Sequence, residues 1–173
     1  MDEFWKSVLR RQFGAAIDML ENAIRACPDH VWSDPTKKPE WPTNDIVGFW
    51  YLAYHSLFFL DFYLSDSMED FGPPAPFNRD EFDPAGLLPE KPYSKEVLLG
   101  YLDYGRRKCN AVVEGLTDEK ARQLSSIRPE QKLTVAERLL VNMRHVQHHA
   151  AQLNLVLRQK TGNAPQSVTT SRP

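Results

Sequence analysis

Between Arg144 and Asn154 the chain reads RHVQHHAAQLN, so three of its five histidines, His145, His148 and His149, fall within one short stretch. In an α-helix, which turns ~100° per residue, side chains four apart lie nearly above one another. His145 and His149 would then share a stripe, about 40° apart around the axis, with Asn142 and Gln152. Leu139, Met143, Val146, Ala150, Leu153 and Leu157 form the adjoining apolar face. The stripe therefore borders the interior, whereas His148 turns about 60° to the other side, towards the rim.

Two imidazoles at i, i+4 are the spacing by which one helix offers a metal ion two ligands. A third is needed, and His55 is the other histidine on a core-type helix, FWYLAYHSLFFLDFYL (Phe49–Leu64). Leu52, Phe58, Phe59 and Phe62 share its inward face. A lone histidine on an apolar face is ordinarily a hydrogen-bonded core residue, and i, i+4 pairs arise by chance. All three facing one interior favour a metal site built from His55, His145 and His149. His30, in a polar loop, has no such context.

Three neutral imidazoles suit zinc, nickel, copper or ferrous iron. Three protein ligands leave a position open, the catalytic arrangement, where bound water can have a pKa near ~7. Val146 follows His145, so there is no HExxH and no built-in glutamate base, which argues against a peptidase. Groups able to move a proton are His148, Tyr54 and Asp61, with Gln152 for hydrogen bonding only. Packing or solvent contact is the ordinary role of each. A closed structural site would need a fourth ligand, such as Asp61. A third reading is a non-catalytic bundle that binds a partner or apolar ligand, its histidines structural or vestigial.

The elements that must carry these residues read as four long helices. The first spans about Asp2 to Ala26, with Trp5, Val8, Leu9, Phe13, Ala16, Ile17, Leu20 and Ile24 at helical spacing. The second starts at Thr43 as N-cap and runs to about Ser65, apolar nearly all round. A long proline-rich connection follows, of the kind that is often functional. The third runs from about Ser94 to Gly115, and a short helical piece sits near Asp118–Leu124. The fourth opens on a capping box, Thr134-x-x-Glu137, and ends near Lys160 before a Thr-Gly pair. The expected fold is all-α, a four-helix bundle with a long crossover-type connection before the third helix. Residues 1–160 form one domain, and residues 161–173 a loosely ordered polar tail.

Composition narrows the function classes. The 173 residues carry a net charge of −2 and no basic run, so the footprint of a nucleic-acid binder is missing. The most apolar stretch is shorter than the ~18–20 residues of a spanning helix and holds His55 and Asp61, so no membrane span is expected. The N-terminus lacks a secretory core, and Cys27 and Cys109 show no metal-like spacing. They read as reduced, buried residues of a cytoplasmic protein.

YHSLFFLD on the second helix together with HVQHHAAQL on the last resembles the DinB/YfiT-like superfamily of metalloenzymes, and helix lengths and the long connection extend the likeness over nearly the whole chain. The resemblance implies a four-helix bundle with three metal ligands in a cleft, here His55, His145 and His149. It also implies a small-molecule substrate and a homodimer. Activities implied are thiol S-transfer or thiol-dependent isomerisation with a low-molecular-weight thiol, or metal-dependent hydrolysis, with zinc or nickel ahead of iron or copper.

Overall fold

The computed structural model describes residues 1–33, 48–83, 89 and 91–171. Among them it is all-helical: α1 (Glu3–Ala26), α2 (Asp29–Trp32), α3 (Phe49–Tyr63), α4 (Lys95–Glu114), α5 (Asp118–Arg122) and α6 (Val135–Thr161). Single 3-10 turns lie at Asp80–Phe82 and Pro129–Gln131.

Local chemistry sets the helix ends. Asp2 caps α1 by accepting from the Phe4 N–H at 2.9 Å. Ser94 caps α4 through the Val97 N–H. In the capping box of α6, Glu137 N–H donates to Thr134 Oγ1 and Thr134 N–H donates to Glu137 Oε2. Gly162 ends α6 at φ 75°, a left-handed turn that glycine adopts without strain. The expected start of the second long helix, Thr43, lies outside the described residues.

The four long helices pack in a ring, α1 against α6 and α4, and α3 against the same two. Their shared core holds Phe13, Ile17, Leu20, Tyr54, Phe58, Phe62, Leu98, Tyr101, Val146 and Leu153, all buried. On α4, a side chain at Gly105 would press on Leu60, whose Cδ2 lies 2.9 Å from the Cβ position, so a small residue there lets α3 and α4 approach. The long connection expected before the third long helix occupies the stretch between α3 and α4, and links helices that are neighbours in the ring. The steps between diagonal helices are the other two, α1 to α3 and α4 to α6.

Two expectations need correction. Trp5, assigned to the buried face of α1, is 57% exposed and packs edge-on against its neighbour Phe4 instead. Residues 169–171 of the tail are tied to α1: Ser171 N–H donates to Arg11 O, Arg11 donates to Thr170 Oγ1, and Gln12 donates to Thr169 O. Polar composition hid this, because the residues that reach α1 are held there by hydrogen bonds. No helix among the described residues is long and apolar enough to cross a membrane.

Candidate metal centre

α3 and α6 bring His55, His145 and His149 together. One ring nitrogen from each can be chosen so that all three lie within 4.8 Å of one another. Packing fixes the two helices at this height: Asn142, buried on α6, donates from Nδ2 to Leu60 O of α3 at 3.0 Å. The ring centroid of His55 stands 5.5 Å from that of His145 and 4.9 Å from that of His149.

Hydrogen bonds at the far nitrogens decide which atoms face inward. His149 Nδ1 lies 2.7 Å from Gln152 Oε1, an acceptor, so Nδ1 carries the hydrogen and Nε2 keeps its lone pair. His55 Nδ1 lies 2.9 Å from the Glu81 carboxylate, which imposes the same tautomer. His145 Nδ1 is buried and has no partner among the described residues. Its ring is held by packing on Phe59 and Tyr63, at 5.5 and 6.1 Å.

His145 Nε2 and His149 Nε2 are 3.0 Å apart. Two lone pairs cannot face each other at that distance unless a hydrogen or a cation lies between them. A tetrahedral ion with Zn–N bonds of ~2.05 Å sets its ligand nitrogens about 3.3 Å apart, so this pair would open by a few tenths of an ångström to hold one, and His55, within 4.8 Å of both, would close on it. The donor set therefore fits a divalent ion that accepts imidazole. Burial, reinforced by the neighbouring imidazoles, pushes His145 down to about 3. Burial and His55 hold His149 near 4, although the Gln152 bond opposes the shift. Both are neutral at pH 7, the protonation state ligation requires.

Glu81 was not legible as a site residue, for it sits in the proline-rich connection. Phe82 beside it packs on Phe58 and Phe62 of α3 at 5.0 and 4.8 Å. Arg79 straps the same turn by donating to the carbonyls of Met68, Glu69 and Phe71. These anchors press the carboxylate, 5% exposed, against His55, 20% exposed. Only the general rule that long connections are often functional pointed there.

A sequence model of the DinB superfamily matches residues 12–153, most of the chain and both histidine-bearing helices. The chain belongs to the DinB superfamily. No curated protein and no solved structure matches it.

In this DinB-superfamily protein the remaining sequence candidates separate. Gln152 takes the hydrogen-bonding role, on His149. His148 is exposed at the rim, its ring 5.1 Å from that of His149. Asp61 is not available as a fourth ligand, because its buried carboxylate accepts from Tyr101 Oη at 3.0 Å and from Lys108 Nζ. Burial raises its pKa, against the lowering effect of those two bonds. Tyr54 packs on Phe77 and Tyr93, and its hydroxyl has no partner among the described residues. Tyr51 and Tyr63 are the tyrosines beside the cluster, their rings 6.2 Å from that of His55 and 6.1 Å from that of His145. Cys27 and Cys109 are buried free thiols, each pushed up to about 12 chiefly by burial, and so are poor nucleophiles.

Proposed function

We propose that this chain is a divalent-metal-dependent enzyme, with His55, His145 and His149 as ligands, that acts on a small molecule by hydrolysis or by transfer to a thiol. The observation that carries this reading is the convergence of imidazole nitrogens whose outer nitrogens are fastened on two of the three rings. Zinc or nickel is the ion we favour, and the same imidazoles suit iron or copper. When bound, the ion supplies a Lewis acid and a water or thiolate nucleophile at neutral pH.

The chain's own residues prepare the site. Glu81 accepts a hydrogen bond from His55 Nδ1–H and so aims its Nε2 inward. Gln152 does the same for His149 without adding charge. Phe59 packs obliquely 4.7 Å from His55 and 5.5 Å from His145, keeping water from one flank. With its exposed ring beside His149, His148 can exchange protons with solvent at the rim. A reduced, cytoplasmic setting accords with two free cysteines, and a homodimer with the family.

Elemental analysis tests the reading. Wild-type protein incubated with zinc or nickel and desalted should retain about one ion per chain, and His149→Ala almost none. A wild type that retains neither metal would sink the proposal.

A further inference from the structure

Several arginines elsewhere in the protein are engaged by polar partners. Around a cavity of about 850 Å³ between α1, α4 and the tail, Arg10 pairs with Glu114, Arg11 donates to Thr170, and Arg106 holds Asp18 and Glu21. Arg128 differs. Its guanidinium lies 5.8 Å from the centroid of Phe59 and 5.9 Å from that of Tyr63. Both rings also pack on His145. Among the described residues no carboxylate or carbonyl accepts a hydrogen bond from it, which leaves a fork of N–H donors held against an aromatic wall of the metal centre.

The pose of this arginine is imposed by the fold. Arg128 has φ 50° and ψ 61°, a left-handed conformation that non-glycine residues rarely adopt. Proline at position 129 disfavours a right-handed helical alternative. The loop is closed at its base by the Leu124–Thr134 bridge, with Ser125 N–H donating to Leu133 O and Val135 N–H to Gln123 O. Inside it, Ser125 Oγ accepts from the Ile127 N–H and from buried Arg138. A strained backbone so firmly over-determined is typical of a functional position.

We propose that Arg128 is the substrate-anion site of the metal centre, its guanidinium receiving a carboxylate of the small molecule whose other end reaches the ion held by His55, His145 and His149. This rests on the metal-dependent reading above. A planar carboxylate matches the guanidinium fork, and the flanking rings of Phe59 and Tyr63 strengthen the pair by excluding water. The substrate class is accordingly a small acid with its reactive group a few bonds from the carboxylate.

The test uses cobalt(II)-loaded protein and two thiols of equal chain length, 3-mercaptopropionate and 3-mercapto-1-propanol, with sulfur-to-cobalt absorption reporting binding at the metal. Wild type should bind the acid at least about tenfold more tightly than the alcohol. Arg128→Gly should reduce that preference to within about twofold while cobalt content and thermal midpoint hold, because glycine takes this backbone conformation without strain. Arg128→Lys, keeping charge without the fork, should retain part of the preference. Equal affinity for both thiols in wild type, a preference that survives in Arg128→Gly, or no sulfur band despite bound cobalt would overturn the anion site and leave the metal reading standing. Failure of wild type to take up cobalt, zinc or nickel would remove both.

Discussion

Two inward-facing polar groups on α3 meet opposite fates. Asp61 faces α4, where Tyr101 donates to its carboxylate and Lys108 supplies a cation that also donates to Asp61 O and Ser65 Oγ. His55 faces α6, where two further imidazoles offer lone pairs, and its support, Glu81, holds it from behind. The first cluster contains its own counter-charge and is closed. In the second, two of the three outer nitrogens spend their hydrogens on Glu81 and Gln152, and the inner nitrogens gather with no ammonium or guanidinium among the described residues bonded to them. A buried polar cluster indicates a ligand when its inward atoms share one sign and their partners lie outside it. It indicates structure when the signs cancel within.

That contrast can be broken by adding metal. Zinc at a thousandfold excess over its dissociation constant should stabilise the wild type by about 4 kcal/mol, and a chelator should reverse this, read as a shift in thermal midpoint. No shift would put the histidines in the same class as Asp61. Lys108→Met attacks the other side of the comparison. It leaves a buried carboxylate uncompensated and should cost about 3 kcal/mol in denaturant unfolding, with zinc binding per folded molecule unchanged.

Glu81→Gln sharpens the distinction between the two supports. Loss of the carboxylate behind His55 should weaken metal binding by about 10–100-fold, or ~1.4–2.7 kcal/mol, and leave the helical spectrum intact. The smallest effect is the response to acid of chelator-treated protein. His145 and His149 sit near 3 and 4 against an ordinary 6.5. Above pH 6.5 both folded and unfolded chains leave them mostly neutral. Below it the unfolded chain takes up protons that the folded chain refuses, so stability falls as pH drops. Between pH 7.5 and 6.5 the loss should stay under about 1 kcal/mol and then steepen, and a His145→Gln/His149→Gln variant should flatten it in urea titrations.

Much of this was legible in the order of residues. The capping box at Thr134 and Glu137 marked the start of α6, and the i, i+4 interval put His145 and His149 on one stripe beside a buried face. The apolar character of Phe49–Leu64 placed His55 inside. These are local signals, carried by helical periodicity. Glu81 and Arg128 were not legible, because neither lies on a periodic segment. One is delivered by Phe82 docking on α3, the other by a loop closed through the Leu124–Thr134 bridge. The role of Asp61 was left open for a related reason: helical spacing gives a residue's angle on its own helix but does not say which neighbour waits there.

By itself the sequence determined the helices, their apolar faces and the inward turn of three imidazoles, since each depends on contacts a few residues apart. The ring order of the helices decided that α6 and not α4 meets His55, and so separated an open cluster of lone pairs from a closed ion pair. That choice rests on shape and burial summed over the whole core, which no short stretch of chain contains.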